Sequence, residues 1–389
     1  RSVVLADNNS ILSLLTETTE TTVNGQTYTS VVDTTAQTTT TTTPEGRVTV
    51  RHFDGLGRVT RFSRDPAMDD VLTSYDDDGR VEGVQRGGLL ADFSYDALGR
   101  LVSHENAMGE QRRYEYDDAN RRTATILPSG RTYRFIYDTA GNVDSVEMPS
   151  GAVHSLAHTS LHQLSGFTPA GNSAGQVSVF NPDRQRISHA LPGGRVVQYL
   201  HDPASGRPDG VSYPEADVVV SFDDSSNRVS AISWAPVSGG SGQSLEYEYD
   251  GALLTDAVFS GASSGAFSYR YDHSFQLLGR SLNGGEERSY LYDNDGLLTG
   301  FGNFTVTRSG PAGRPGQLSD GTLSLSYTFN SEGRLATREL LVNGQPLYHL
   351  SLAYDAAGRI VQKTENLEGA ARTYGFVYDV DGQLIEVHL

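Results

Sequence analysis

The stretch "YDALGR" at residues 95–100 is one of a long series of similar six-residue stretches. Clear copies begin at Phe53, Tyr75, Tyr95, Tyr116, Tyr137, Phe222, Tyr249, Tyr271, Tyr292, Phe329, Tyr354 and Tyr378. Neighbouring copies mostly start 20 to 25 residues apart. Self-similarity at a fixed period is typical of repeat architectures, in which each repeat packs against its neighbours. A repeat of about 21 residues therefore organises this chain.

Intervals that break the period contain weakened copies of the same stretch. These are "HTSLHQ" from His158, "FNPDRQ" from Phe180, "HDPASGR" from His201 and "SGPAGR" from Ser309. With these copies included, the repeats extend from about residue 47 to residue 389.

Each position of the motif has a physical role in a turn between two strands. The aromatic residue ends a strand and offers a large flat surface to neighbouring strands. The Asp accepts hydrogen bonds from backbone N–H groups of the turn, and the Gly adopts the positive φ that a tight turn needs. The Arg begins the next strand, with its charge close to the Asp. We assign these architectural roles to Tyr75, Asp76, Gly79, Arg80, Tyr95, Asp96, Gly99, Arg100, Tyr116, Asp117, Tyr137, Asp138, Gly141, Tyr354, Asp355, Gly358, Arg359, Tyr378, Asp379 and Gly382.

A second turn lies near the middle of each period. Examples are "LPSG" at 127–130, "MPSG" at 148–151 and "LPGG" at 191–194, all of which are typical of hairpins. Between the turns, segments such as "TYRFIYD" at 132–138 alternate in polarity with the period-two spacing of a β-strand. One period is thus predicted to form two short antiparallel strands, and no segment predicts a helix.

The number of repeats limits the form that the sheet can take. About fifteen or sixteen hairpins give roughly thirty strands, which would make a flat sheet on the order of 140 Å wide. Open twisted sheets rarely exceed about ten strands without curling. We therefore expect an all-β fold in which antiparallel hairpins roll into a spiral shell or barrel, with a stacked β-solenoid as the alternative.

The pattern Tyr-Asp-x-x-Gly-Arg at a period near 21, with Pro-x-Gly turns between, resembles the YD-repeat or rearrangement-hotspot (RHS) family. This family includes bacterial polymorphic toxins, the shell subunits of insecticidal toxin complexes, and the teneurins of animals. The resemblance covers residues from about 47 to 389. It implies a β-sheet that spirals into a hollow shell, outside a bacterial cell or on its surface, around material such as a C-terminal toxin.

The sequence departs from the family pattern at its C-terminal end. Bacterial shell members usually finish with a segment that carries an Asp-Pro-x-Gly type motif, where self-cleavage frees a toxin. Here "DVDGQLIEVHL" at 379–389 is another repeat, so the cleavage chemistry is assigned to no residue of this chain. Because the chain begins at Arg1 and not at Met, we expect it to be a piece of a longer polypeptide or a processed product.

The first 46 residues differ in composition and are rich in Thr between residues 16 and 43. Such a segment suits a glycosylated, mucin-like stalk. Thr is also a good strand former, and "VNGQTYTSVV" at 23–32 is typical of a hairpin. We favour degenerate repeat strands over a stalk, and divide the chain into a Thr-rich β segment at 1–46 and a continuous YD-repeat region at 47–389.

Composition argues against several classes of partner and site. The formal net charge of −18 gives an acidic surface that repels nucleic acid and anionic membranes. The chain has no Cys, which rules out disulfides, thiolate metal sites and Cys nucleophiles. It contains no run of about 18 apolar residues, so no membrane span is expected.

Two stretches match the Gly-x-Ser-x-Gly elbow of serine hydrolases, "GNSAG" at 171–175 and "GASSG" at 261–265. That elbow needs a strand before it and a helix after it, whereas both stretches occupy the turn between two strands of a repeat. On a helix, His154, His158 and His162 would stack three imidazoles for a metal. His158 occupies the aromatic position of a repeat, however, so we favour a strand.

Three turns resemble the start of a calcium-binding loop, namely "DDDG" from Asp76, "DNDG" from Asp293 and "DVDG" from Asp379. An EF-hand loop needs a bidentate Glu at its twelfth position, which none of the three provides. We interpret them as repeat turns, and we predict no catalytic residue, no cofactor site and no metal site.

The expected function is therefore structural and not enzymatic: a scaffold segment that encloses or displays other material. Its expected partners are further segments of the same large polypeptide, an enclosed C-terminal cargo, or other copies of the chain. Two alternatives stay open. A Tyr-rich sheet with Asp and Arg at its edges suits an adhesion or glycan-binding module, and unpaired terminal strands suit an extracellular fibre.

Overall fold

A computed structural model of the protein describes residues 1–7, 10, 13–171 and 174–389, and these consist almost entirely of β-strands and turns. Thirty-six strands occur in the described ranges, together with a 3-10 turn at Pro311–Gly313. None of the described residues forms a helix that is long and apolar enough to span a bilayer. The predicted all-β class is confirmed.

The strands of the first half of the chain are β1 (Ser2–Leu5), β2 (Leu14–Val23), β3 (Gln26–Asp33), β4 (Thr38–Thr42), β5 (Val48–Phe53), β6 (Val59–Ser63), β7 (Val71–Tyr75), β8 (Val81–Arg86), β9 (Leu89–Tyr95), β10 (Leu101–Asn106), β11 (Gln111–Tyr116), β12 (Arg122–Ile126), β13 (Thr132–Tyr137), β14 (Val143–Glu147), β15 (Val153–His158), β16 (Leu164–Thr168), β17 (Gln176–Phe180) and β18 (Arg186–Ala190).

Those of the second half are β19 (Val196–His201), β20 (Pro208–Ser212), β21 (Ala216–Phe222), β22 (Val229–Pro236), β23 (Gln243–Asp250), β24 (Leu253–Ser260), β25 (Gly265–Tyr271), β26 (Leu277–Leu282), β27 (Arg288–Tyr292), β28 (Leu298–Phe301), β29 (Phe304–Thr307), β30 (Gln317–Ser319), β31 (Leu323–Phe329), β32 (Leu335–Val342), β33 (Gln345–Tyr354), β34 (Ile360–Leu367), β35 (Ala370–Tyr378) and β36 (Leu384–His388).

Strand pairing is antiparallel and follows the order of the chain. Strand β9, for example, pairs with β8 and with β10, and β14 pairs with β13 and with β15. Among the described residues, β1 pairs only with β2, and β36 only with β35, so the sheet is open. This is the sheet of hairpins that the repeat predicts, and it is not the stacked solenoid given as the alternative.

The Thr-rich N-terminal segment takes part in this sheet. Strands β2, β3 and β4 pair in sequence, and β4 pairs with β5 across the predicted boundary at residue 46. These N-terminal strands raise the number above the thirty or so expected from the repeats alone.

A β-bulge occurs where each aromatic motif residue meets the next strand. In the β9–β10 pair, Tyr95 is opposite Leu101 and Ser94 is opposite Ser103, so Val102 is an extra residue. The same register shift recurs at Tyr75, Tyr137, Tyr271, Tyr354 and Tyr378. Bulges bend a strand and increase its twist, so the motif places one bend in the sheet per repeat.

The strands form two compact units. Unit 1 comprises Arg1–Arg113, Leu127–Ser129 and Ser289–Leu389, and unit 2 comprises Tyr114–Ile126 and Gly130–Arg288. Neither has the core of a globular domain, because no large side chain among the described residues is less than 2% exposed.

One set of buried positions within the sheet consists of small residues at the same place in the repeat, beside single buried strand residues such as Val197, Val306 and Leu350. The third residue after the motif Arg, or its substitute, is Gly, Ser or Ala and is buried at Gly83, Ser103, Ala124, Ser145, Gly210, Gly279 and Gly300. A Cβ on Gly83 would lie 2.8 Å from the Ser74 hydroxyl oxygen on the paired strand. Small side chains here leave room for the side chains of adjoining strands, a feature of the repeat that our sequence analysis missed.

Candidate functional site

The site that the repeat builds is the turn following each aromatic motif residue, which we call the YD turn. In the copy at 95–100, the Asp96 N–H donates to the Arg100 carbonyl at 2.9 Å, and the Gly99 N–H donates to the Asp96 carbonyl at 2.9 Å. One Asp96 carboxylate oxygen accepts the N–H groups of Leu98 and Arg100, each at 2.9 Å. The other accepts Arg100 Nε at 2.7 Å. The Asp thus closes the backbone of the turn and fixes the Arg that begins the next strand.

Where the fifth residue of the motif is Gly, its φ is positive in the described chain. The φ of Gly99 is +79° and that of Gly358 is +81°. In several copies without this Gly another residue takes the same left-handed conformation, among them Asn120, His162 and Phe275, with φ between 62° and 64°. A positive φ is strained for residues with a Cβ, which accounts for the preference for Gly.

Successive repeats are joined by the motif Tyr and the preceding Arg. The Arg80 guanidinium lies over the Tyr95 ring at 4.8 Å, and the Tyr95 hydroxyl donates to the Val81 carbonyl at 2.8 Å. The stacking recurs for Arg58 on Tyr75, Arg121 on Tyr137, Arg207 on Phe222, Arg334 on Tyr354 and Arg359 on Tyr378. Equivalent hydroxyl bonds are made by Tyr75, Tyr137, Tyr271, Tyr354 and Tyr378. Each motif Tyr therefore binds the first residues of a strand in the preceding repeat, as Tyr95 binds Val81 at the start of β8.

The remaining predicted motif residues occupy equivalent turns. Asp76 accepts Arg80 Nε at 2.7 Å, and Asp355 accepts Arg359 Nε at 2.7 Å. Asp138 makes the corresponding bond with Asn142, which replaces the Arg, at 2.8 Å. The structure places Gly79, Tyr116, Asp117, Gly141, Asp379 and Gly382 in YD turns as well.

These hydrogen bonds stabilise the ionised form of the Asp. The backbone N–H and guanidinium of Arg100 lower the pKa of Asp96, and the same groups of Arg121 lower the pKa of Asp117. The strongest effect is at Asp223, where bonds from Ser225 and Ser226 lower the pKa from 3.8 to about 2. At neutral pH the Asp96 and Asp117 carboxylates are therefore ionised and paired with Arg100 and Arg121 in the same turns.

A second kind of contact joins parts of unit 1 that are far apart in sequence. Mid-repeat turns between residues 43 and 129 contact YD turns between residues 293 and 383, and we call this line of contacts the lap seam. Its side-chain hydrogen bonds join residues separated by 246 to 252 positions, and one bond between backbone groups joins Asp69 to Ser331, 262 positions later. With repeats of about 21 residues, this separation is close to twelve repeats. Within unit 1, turns at the ends of the earlier strands thus contact turns at the ends of the later strands.

The first cluster of the lap seam is centred on Arg47. Its guanidinium lies 2.6 Å from the Asp293 carboxylate and also pairs with Asp295. Asp295 in addition accepts the Thr43 hydroxyl at 2.7 Å and the Glu45 N–H at 3.1 Å. Burial disfavours the charged form of Asp293, but bonds from Arg47 and from the Leu297 N–H lower its pKa overall. The "DNDG" turn that resembled a calcium loop is therefore bound by an arginine.

Further along the lap seam, Asp65 accepts the Ala312 N–H at 2.7 Å, and the Asp69 N–H donates to the Ser331 carbonyl at 2.7 Å. The Arg359 guanidinium pairs with Glu110 at 3.0 Å while remaining bound to Asp355 in its own turn.

The last contact of the lap seam binds the turn from Asp379 to the "LPSG" turn. Asp381 accepts the Ser129 N–H at 2.8 Å and the Ser129 hydroxyl at 2.7 Å, one on each carboxylate oxygen. Residues of the YD turns therefore serve two purposes: they close local hairpins, and in unit 1 they bind mid-repeat turns about 250 residues earlier in the chain.

No pattern in the sequence predicts the lap seam. Neither Arg47 nor Glu110 lies in a motif that differs from the other mid-repeat turns, and Asp and Arg recur in every repeat. Only the regular period gave a signal, because it implies that contacts between layers recur at a constant separation.

The remaining candidate sites lie on strands and turns. The stretch at 261–265 connects β24 to β25, without the helix that a hydrolase elbow needs. In the stretch at 171–175, Asn172 and Ser173 lie outside the described residues.

The three histidines are similarly placed. His154 and His158 are on β15, and His162 is in the following turn, where its Nδ1 lies 2.9 Å from the Asn142 side-chain oxygen. Within the described ranges, no group of three or more His, Asp or Glu residues has the arrangement of a metal site.

Comparison with known proteins gives consistent results. The family model for the teneurin YD-shell matches residues 6–388. Teneurin-3 of Danio rerio is 26% identical over 356 residues, covering 87% of this chain, and human teneurin-4 is 25% identical over 351 residues, also covering 87%. The chain spans only 13% and 12% of the length of these two relatives.

Solved structures show the same fold. The crystal structure of TcdB2-TccC3-TEV has a TM-score of 0.60 at 14% identity, over 92% of this chain and 24% of that chain. That of TcdB2-TccC3 has a TM-score of 0.59 at 13% identity, over 98% of this chain and 26% of that chain. The YD turns, the sequential antiparallel sheet and the match over nearly the whole sequence agree, and the chain belongs to the teneurin YD-shell family.

Proposed function

We propose that the chain forms part of the wall of a larger YD shell, outside the cell or on its surface, and that this shell encloses or displays other material. The lap seam is the observation that carries the proposal. An isolated curved ribbon of strands needs no contact between its edges. Layers that bind each other, as Arg47 binds Asp293 and Arg359 binds Glu110, are what a continuous wall requires.

The two faces of the sheet support enclosure. The residue before the motif aromatic lies on the opposite face from it, because successive side chains of a strand alternate. In unit 2 several of these residues are large, apolar and exposed, including Ile136 at 51%, Val179 at 47% and Leu200 at 46%. Exposed apolar side chains on one face of a sheet suit contact with other material. We infer that this face meets the enclosed material.

The partners that we propose follow from the size of the relatives. Since the chain covers about a quarter of the TcdB2-TccC3 chain, further segments of the same polypeptide are expected to complete the wall. A related structure is described as TcdB2-TccC3 without its hypervariable C-terminal region, and a C-terminal toxin is accordingly the cargo that we propose here. The origin that we propose is bacterial. The role is structural, and the charged residues of the YD turns act by binding each other and not a substrate.

The proposal is tested by native mass spectrometry of the complete polypeptide isolated from its source, combined with its denatured intact mass. We expect the wall to retain a second, C-terminal polypeptide that resists added protease. Arg359→Gln, which removes the Glu110 contact of the lap seam, should increase cleavage of that cargo several-fold. Arg270→Gln, which removes the exposed pair with Glu287 at 2.7 Å, is the matched control and should leave protection unchanged.

Other outcomes would identify another function. Regular assemblies of one chain in large multiples, without a second polypeptide, would indicate a fibre. Monomers that retain no cargo but bind on a glycan array would indicate an adhesion module. A cargo that is digested at the same rate in the parent protein and in Arg359→Gln would contradict enclosure by the lap seam.

A further inference from the structure

We propose that the mid-repeat turn Met148–Ala152 is a second carboxylate-binding site, whose occupant is the YD turn of a further repeat in the same polypeptide. This inference rests on the proposed function, because it requires that the shell continue beyond the strands described above. It identifies which residues of unit 2 would receive the next layer, and by which hydrogen bonds.

Two mid-repeat turns of the chain have nearly identical sequences. Residues 127–130 are Leu-Pro-Ser-Gly and residues 148–151 are Met-Pro-Ser-Gly. Each connects two paired strands, β12 to β13 and β14 to β15. Gly130 and Gly151 have φ values of 86° and 81°. The backbone therefore presents Ser129 and Ser150 in the same position of the same type of turn.

One of these turns already holds a carboxylate. Asp381 accepts both the N–H and the hydroxyl of Ser129, at 2.8 Å and 2.7 Å. Two donors three bonds apart that meet the two oxygens of one carboxylate form a geometrically specific arrangement. Within this chain, a Pro-Ser-Gly turn therefore binds a YD turn through its serine.

The other turn has the same donors without an acceptor. Ser150 is exposed, and its hydroxyl oxygen is 3.4 Å from the Ala152 N–H, a contact in which it accepts. Among residues 1–7, 10, 13–171 and 174–389, no acceptor lies within hydrogen-bonding distance of the Ser150 N–H or its hydroxyl hydrogen. The turn itself is already closed by the Gly151 N–H donating to the Met148 carbonyl at 2.8 Å. The Ser150 donors are therefore not needed for local structure.

The kind of occupant follows from continuity with the lap seam. Every mid-repeat turn of the seam that we described contacts a YD turn about 250 residues later, and the contact at Ser129 has a separation of 252. The same separation from Ser150 falls shortly after Leu389. We therefore infer a YD turn with Asp two residues after the motif Asp, as in Asp379-Val380-Asp381.

The affinity of this site for an isolated acidic peptide should be low. Ala152 stands at the position of Arg131, so no guanidinium adjoins the serine, and the bonds come from neutral donors. Binding becomes effective only when the two turns are held near each other by the chain, which gives a high effective concentration. The test must therefore use the complete polypeptide and not a peptide added in solution.

Amide hydrogen exchange of the 389-residue chain and of the complete polypeptide provides the test. Because Pro149 has no N–H, a peptic fragment of this turn reports mainly on Ser150 and on Gly151, whose N–H is bonded in both samples. We expect exchange at Ser150 to be at least tenfold slower in the complete polypeptide. Exchange at Ser129 should be slow in both samples, and serves as the internal reference.

Two variants distinguish a carboxylate bound to Ser150 from simple burial of the turn under another segment. In the complete polypeptide, Ser150→Ala should restore much of the exchange at this position, and Ser150→Thr, which keeps the hydroxyl, should preserve the protection. Equal protection in the Ala and Thr variants would contradict carboxylate binding. Protection that appears in the 389-residue chain and rises with its concentration would indicate a second copy as the occupant, and would also overturn the proposal.

The outcomes separate this inference from the proposed function. Fast exchange at Ser150 in the complete polypeptide, with slow exchange at Ser129, would reject the second site and leave the lap seam intact. Fast exchange at both serines would reject the lap seam itself, and with it the structural basis of the proposed wall.

Discussion

The Arg359 guanidinium lies 3.0 Å from the Glu110 carboxylate, although 249 residues separate them in the chain. Both side chains are about 15% exposed, and Arg359 is also bound to Asp355 at 2.7 Å. One side chain therefore closes its own YD turn, stacks on Tyr378 and binds the mid-repeat turn of another layer. Local folding and contact between layers depend here on the same residue.

Arg359→Gln is expected to destabilise unit 1 by about 1–2 kcal/mol, because it leaves Glu110 half-buried without its cation. The measurement is chemical denaturation monitored by the far-UV circular dichroism of the strands. Glu110→Gln should cost less, since Arg359 keeps its bond to Asp355. The double variant should lose less free energy of unfolding than the sum of the losses in the two single variants. Strict additivity would show that the two residues do not interact in solution.

Asp96→Ala should lower the melting temperature by about 2–4 °C, because the N–H groups of Leu98 and Arg100 lose their acceptor. Asp96→Asn should have a much smaller effect. The chain itself provides the precedent, since Asn330 accepts the Arg334 N–H at 2.7 Å in an equivalent turn. Differential scanning calorimetry of the two variants decides the matter. If Asn were as damaging as Ala, the negative charge and not the hydrogen-bond geometry would be the essential property.

Gly99→Val should cost roughly 1–3 kcal/mol, because a β-branched residue is strained at a φ of +79°. A Cβ at this position would also lie 3.4 Å from the Arg80 guanidinium. Gly99→Asn should be tolerated better, as Asn120 adopts a φ of 62° in the next copy. The free energy of unfolding from denaturant titrations is the measurement. Gly55→Ala is a suitable control, because a Cβ there meets no atom within 4 Å and its φ is not positive.

The YD turns could be predicted from the sequence because the residues that form each turn are close together in the chain. Asp96, Gly99 and Arg100 interact within a six-residue stretch, so the chemistry of the turn determines which residues recur. The order of the strands follows equally, since two short strands joined by a tight turn pair with each other. Even the weakened copy at Phe180 keeps a turn acceptor, because Asn181 replaces Asp and accepts the Gln185 N–H at 2.9 Å.

The lap seam could not be read in the same way, since the number of repeats in one lap depends on a small bend added at every bulge. A slight change in the bend at Tyr95 or Tyr137, summed over a dozen repeats, would bring a different turn against Arg47. Which Asp binds Arg47 is thus determined by the conformation of many residues that contact neither Arg47 nor that Asp. Asp295 has no sequence feature that separates it from Asp78 in another turn.

Stability should fall in acid over a defined range of pH. The carboxylates of Asp96, Asp117 and Asp223 have lower pKa values in the folded protein than in the unfolded chain, with Asp223 at about 2 against an ordinary 3.8. The unfolded chain then binds protons first as the pH falls. The contribution of these groups is complete above the unfolded value of 3.8, and it is lost as the pH falls through the folded values towards 2.

Asp223→Asn identifies this effect at a single turn. The variant keeps an acceptor for the Ser225 and Ser226 donors but cannot be protonated in this range, so its denaturation midpoint should change less between pH 5 and pH 2 than that of the parent protein. Asp224→Asn removes the same charge from an exposed residue whose carboxylate makes no hydrogen bond to the described part of the chain. This control corrects for the change in net charge. If both variants flatten the pH profile equally, the acid sensitivity comes from overall charge and not from the hydrogen bonds of the YD turn.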